Sequence, residues 1–142
     1  MNKIGAENEN FLLNTIKTYI DINLTLCKNK YSIVDYISAN SLVELKSRRN
    51  AYKTYPDTMI GANKIKYMLD DATRKSYCVF SFTDGLYYIE ITQDIVKNFR
   101  KALGGRRDRG KDETNIYYYI PIQLLNSLTP TTSQPRPHLV CV

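Results

Sequence analysis

Apolar positions change period several times along the chain, and each change predicts an element. From Glu7 to Asp21, Phe11, Leu12, Ile16, Tyr19 and Ile20 recur at helical spacing. That predicts a helix with acids in its first turn, where carboxylates favour the positive end of the helix dipole. The pattern then shifts to short β-branched and aromatic runs. NLTLC, YSIVDYIS and SLVELKS, separated by KNK and SANS, predict three short strands with tight connections. After Pro56, Asp57 or Thr58 offers an N-cap for a helix from Met59 to Thr73, which Gly61 near its start weakens slightly.

SYCVFSF and LYYIEI flank an Asp84-Gly85 turn and predict a hairpin over Ser76–Ile91. Ile95–Leu103 reads as a short helix ending at Gly104-Gly105, and the Gly-rich, charged GGRRDRGKDET as an exposed loop. Asn115–Ile122 is a late strand with Pro121 near its end, followed by a terminal turn at Gln123–Leu128. Residues 129–142, with three prolines, read as a tail. The order α-β-β-β-α-β-β predicts an α/β or α+β sheet domain over residues 1–128.

Composition narrows the class. At 142 residues and 43% hydrophobic content the chain suits one domain. The longest uncharged stretch, Thr114–Pro135, is broken by Pro121, Gln123 and Asn126, so no membrane span is expected. The polar N-terminus lacks the apolar core of a secretory signal, and a soluble intracellular protein is expected. Cys27, Cys78 and Cys141 are far apart, with no zinc-type or disulfide-framework spacing, and read as reduced thiols. The single histidine, His138, lies in the tail, which argues against Ser-His-Asp and Cys-His hydrolases.

Charge is concentrated rather than spread. Six basic residues between Lys46 and Lys66 face one acid, Asp57, and six between Arg100 and Lys111 face Asp108. The rest of the chain is net acidic, so the basic segments point to a polyanionic partner. Tyr52 and Tyr55 lie inside the first segment, where rings can stack on bases.

Glu44 and Lys46 are two apart in a predicted strand, which sends both side chains to one face. Asp35, on the preceding strand, is placed to meet Glu44 across the SANS connection. Two carboxylates and an ammonium on one spot are costly to bury unless a hard divalent cation such as Mg²⁺ joins them. Lys46 beside such an ion would orient or help deprotonate a water attacking phosphorus.

Asp35, Glu44, Leu45 and Lys46, set in α-β-β-β-α-β order, resemble the active site of the PD-(D/E)XK nuclease superfamily over roughly Ile4–Ile91. The resemblance implies a restriction-endonuclease-like αβββαβ core, a central mixed sheet flanked by helices. It implies a nuclease cutting phosphodiesters, most readily DNA, with Asp35, Glu44 and the Leu45 carbonyl holding Mg²⁺ or Mn²⁺ and Lys46 catalytic. Gly5-Ala6-Glu7-Asn8-Glu9 is similar to the Gly-x-x-x-Glu of the family's resolvases, which carries over Glu9 as the helix acid, with Glu7 as the alternative. Lys64 or Lys66 would approach the phosphates from the second helix. Arg48, Arg49, Tyr52, Tyr55, Arg106, Arg107, Arg109 and Lys111 complete the expected nucleic-acid surface. A homodimer stays open. TYPDTMIGANK (54–64) is similar to nuclease-like proteins of large DNA viruses. Val34 stands where the family's motif has proline.

Two other readings compete: a nucleic-acid-binding module that keeps the fold without catalysis, and an assembly protein whose basic loop meets an acidic partner. Carboxylates facing a phosphate backbone repel it unless a metal intervenes, which favours the nuclease over the inert module.

Overall fold

A computed structural model describes residues 3–28, 32–104 and 115–128, without the side chains of 3–9, 104 and 115. Helix α1 spans Lys3–Tyr19. It begins earlier than the hydrophobic spacing predicts, so its first turn carries no acid, and Glu7 and Glu9 fall in the second turn. Strands β1 (Thr25–Leu26), β2 (Tyr36–Ile37), β3 (Ser41–Ser47), β4 (Asp57–Gly61), β5 (Lys75–Phe82) and β6 (Gly85–Ile91) follow, with α2 (Ala62–Asp70) before β5. Helix α3 (Gln93–Val96), β7 (Arg100–Gly104), β8 (Asn115–Pro121) and β9 (Asn126–Ser127) complete the order.

The main sheet has the strand order β1-β2-β3-β5-β6-β9. Only β3 and β5 run parallel in it. A parallel pair needs a crossover, which β4 and α2 supply. Strand alternation divides the apolar residues between two faces. Leu42, Cys78 and Phe80 pack with Ile65 and Met68 of α2, whereas Val43 and Val79 pack with Leu12 and Ile16 of α1. The architecture is thus α+β with a mixed sheet flanked by helices, as expected. No helix among the described residues is long and apolar enough to cross a membrane.

Several elements differ from expectation. The segment predicted to open the second helix is instead β4, paired antiparallel with β8 from Asp57↔Pro121 to Gly61↔Tyr117. The alternating burial of Thr58 and Ile60 gives it strand character. Helix α2 therefore starts at Ala62, and its N-cap is Gly61, with no side-chain cap. The predicted helix over Ile95–Leu103 is one turn, Gln93–Val96, capped by Thr92 Oγ1 accepting from the Ile95 N–H, followed by β7. Strands β4, β8 and β7 make a second, three-stranded sheet. The first two predicted strands shrink to two-residue pairings, β1 and β2, and β9 arises where only a turn is predicted.

Candidate active site

The site grows out of the point where β2 stops. Main-chain pairing continues one residue beyond it, the Asp35 N–H donating to the Val43 carbonyl at 3.0 Å. Beyond that, the Asp35 side chain takes over: Oδ2 accepts the Leu45 N–H at 2.8 Å. The N–H and C=O of one strand residue leave the same edge, so the Leu45 carbonyl faces the side where Asp35 sits.

Glu44 shares a face with Leu42 and is 1% exposed. Its register partner on β5 is the buried Cys78. Lys46 Nζ lies 3.3 Å from Glu44 Oε2. From α2, Lys64 Nζ lies 3.3 Å from the same oxygen and 3.4 Å from Oε1, and also donates to the Ile33 carbonyl. Burial raises the Glu44 carboxyl above the ordinary carboxylate range and the Asp35 charge adds to that, while Lys64 and Lys46 pull the other way. Burial also raises the Cys78 thiol, with the Glu44 charge adding to it, which makes it an inert thiol rather than a nucleophile. Cys27 and Cys78 are both unbridged.

An oxygen-only donor set of Glu44, Asp35 and the Leu45 carbonyl fits Mg²⁺ or Mn²⁺, which take few protein carboxylates and complete their shell with water and phosphate. Among the described residues no group of three or more His, Cys, Asp or Glu gathers to hold a metal. The helix acid Glu9 lies on α1, and its side chain falls outside the description.

The other expected residues separate. Lys64 and Lys66, two apart on a helix, point in nearly opposite directions. Lys64 enters the site, whereas Lys66 is exposed and pairs with Asp70 at 2.9 Å. Arg48 is a structural tie. Its Nε donates to Thr58 Oγ1 at 3.0 Å, its terminal nitrogen to the Met59 carbonyl at 2.5 Å, and its guanidinium lies over Phe80. Desolvation there lowers its pKa. Tyr52 stacks on Tyr87 with centroids 3.9 Å apart, meets Phe82 edge-on, and donates its hydroxyl to the Ile122 carbonyl at 2.7 Å. One face of its ring is thereby engaged. Arg49 is exposed, and so is Tyr55, at 58%. Arg106, Arg107, Arg109 and Lys111 fall between β7 and β8, outside the described residues.

Sequence reasoning passed over Ile33, whose carbonyl anchors Lys64, and no sequence pattern marks a main-chain acceptor. It also passed over the Arg100 guanidinium stacked 4.1 Å above Tyr119 on the second sheet, a pair visible only once β7 and β8 are known to be neighbours.

Among families of known sequence, residues 8–128 match the one described as "Phage putative PDDEXK endonuclease". No curated protein matches the chain.

Proposed function

The chain belongs to this family of PD-(D/E)XK endonucleases, and from that premise we propose that it hydrolyses phosphodiester bonds of DNA with Mg²⁺ or Mn²⁺. The observation that carries the reading is Glu44, a fully buried carboxylate beside the Asp35 charge and touched by two lysines. Burying such a cluster is expensive, and replacing a whole buried ion cluster with well-packed apolar residues is often neutral or stabilising, so folding alone does not account for it. Asp35, Glu44 and the Leu45 carbonyl would hold the cation, joined in this reading by Glu9, a residue of α1. When bound, the cation stabilises charge developing on the phosphate and acidifies water.

The chain's own residues do the rest. Asp35 fixes the end of β3 through the Leu45 N–H, so the two carboxylates keep one geometry. Lys46 has a side chain 35% exposed, which puts Nζ at the mouth of the site while it stays paired to Glu44. There it orients the attacking water and, once it has given its own proton to solvent, takes up the water's proton as a neutral amine. Lys64 meets the phosphate from α2. Arg49 and Tyr55 contact the backbone and bases, and Arg106, Arg107, Arg109 and Lys111, far from the acids in sequence, grip the backbone.

The test is cleavage of single-stranded, double-stranded and branched DNA, and of RNA, with Mg²⁺ or Mn²⁺ present. Cutting that requires the ion and is lost in Lys46→Ala is expected. Binding without cutting on every substrate would replace the nuclease with an inert nucleic-acid-binding module.

A further inference from the structure

Lys64 sits where a cation shared by both oxygens of Glu44 would sit. Its Nζ is 3.3 Å from Oε2 and 3.4 Å from Oε1, and its third contact is the Ile33 carbonyl. Each of these acceptors is an oxygen, the atom a hard divalent ion also prefers. Lys46 claims Oε2 as well. With Asp35, Glu44, Lys46 and Lys64 all ionised, the cluster is neutral before any metal arrives. Adding a divalent ion to that set leaves an excess of two positive charges around a carboxylate that is 1% exposed. Phosphate oxygens remove such an excess, and a lysine on a flexible stem can swing to meet them.

We propose that Lys64 is a placeholder cation: it occupies Glu44 in the free protein and moves to a substrate phosphate when metal enters. Metal binding and phosphate binding are then coupled. By linkage, each ligand strengthens the other by the same factor. The protein alone holds metal weakly, and the competent site assembles only on a phosphodiester. The second basic residue on α2 cannot do this, because Lys66 points away and pairs with Asp70. Lys64 thus acts on metal binding through Glu44 and on the substrate directly. The inference rests on the metal-dependent reading above and extends it to the order in which the site is filled.

Mn²⁺ binding to the full chain, followed by calorimetry and by the resonance of free Mn²⁺, tests it with and without a phosphorothioate duplex that resists cleavage. In the wild type the duplex should tighten Mn²⁺ binding by about 5- to 150-fold, the ordinary range of such a coupling. Lys64→Met should bind Mn²⁺ more tightly than wild type without the duplex and lose most of the duplex effect. Lys64→Arg, which keeps the charge, should behave as wild type. Lys64→Met that binds Mn²⁺ no more tightly than wild type would overturn the placeholder role. Should that variant fail to fold, Lys64→Gln replaces it, and a wild type whose Mn²⁺ affinity ignores the duplex overturns the coupling by itself. Glu44→Gln separates the two levels of the argument: if it retains wild-type Mn²⁺ binding, the metal site itself is wrong, whatever Lys64 does.

Discussion

The Asp35 carboxylate accepts the Leu45 main-chain N–H at 2.8 Å, standing in for the strand that β2 no longer provides. A side chain thereby closes a backbone bond and, in the same position, brings its charge to Glu44. Asp35→Asn keeps an acceptor for Leu45 but removes the charge. It should leave the melting temperature within a few degrees of wild type while weakening Mn²⁺ binding. Asp35→Ala should lose stability as well, by about 1–3 kcal/mol, because a donor in a partly buried strand end is left unpaired. Thermal unfolding of the two variants side by side checks the division.

Lys46→Ala should lower the cleavage rate at saturating DNA by about 10²- to 10⁴-fold, the usual contribution of a proton-transferring group. DNA affinity should change little, since Lys46 is one cation among many that face phosphate. A variant that cuts at the wild-type rate would remove Lys46 from the chemistry.

The raised Glu44 carboxyl gives metal binding a pH dependence of definite sign. The protonated acid must release its proton before it can hold a cation, so Mn²⁺ affinity should rise as pH climbs above the ordinary value of 4.5. Without metal the sign for stability is opposite. In that window the native state binds more protons than the unfolded state, so this group's contribution falls as pH rises. Calorimetry at about pH 5 and at about pH 7, in wild type and Glu44→Gln, checks both signs.

Asp71 makes the reverse case at the end of α2. Its carboxylate accepts from Arg74, from the Thr73 N–H and hydroxyl, and from the Arg74 N–H, and is held down at about 2. That stabilisation is present above 3.8 and is lost as pH falls from there toward about 2. Asp71→Ala should therefore be less stable than wild type at neutral pH, and the difference should close on acidification.

Two tyrosines of the first basic segment should behave differently. Tyr52→Ala loses a stacked partner and a hydroxyl bond, and should unfold about 2 kcal/mol more easily. Tyr55→Ala should melt as wild type, yet bind single-stranded DNA more weakly by about 1–3 kcal/mol, the worth of one base stacked on a ring. For the basic segment between β7 and β8, replacing Arg106, Arg107, Arg109 and Lys111 with Ser should flatten the salt dependence of duplex binding by about 0.9 for each phosphate contact removed. Coincident binding curves for variant and wild type would return the segment to an ordinary solvated connector.

The local half of the structure was legible in the residues. SLVELKS is a short run between turn signals and is β3, and SYCVFSF-TDG-LYYIEI is the β5–β6 hairpin, because in both the strand pattern is complete within a few residues. Asp35, whose charge acts on Glu44 and whose carboxylate accepts the Leu45 N–H, lies within the same short range of sequence. The second sheet was not legible. Asp57–Gly61 and Arg100–Gly104 are short and mixed in polarity, and what makes them strands is β8, which lies far from β4 in sequence and across a connection from β7. The choice between Lys64 and Lys66 turned on helix phase, which the packing of Ile65 and Met68 against the sheet fixes. The roles of Arg48 and Tyr52 went the same way. A basic or aromatic residue in a charged run looks like a ligand contact until its packing partners, here Phe80 and Tyr87, are known.

Tyr52 and Tyr87 lie face to face, their planes only 2° apart. The chain has 12 tyrosines and no tryptophan, so its near-ultraviolet spectrum is a tyrosine spectrum. A stacked pair of identical chromophores couples its transitions and adds optical activity that isolated phenols lack. That signal is a built-in gauge of whether the stretch leading from β3 to β4 is seated on β6. It can be read during a titration with DNA or metal without attaching a dye, and it vanishes when either ring is removed.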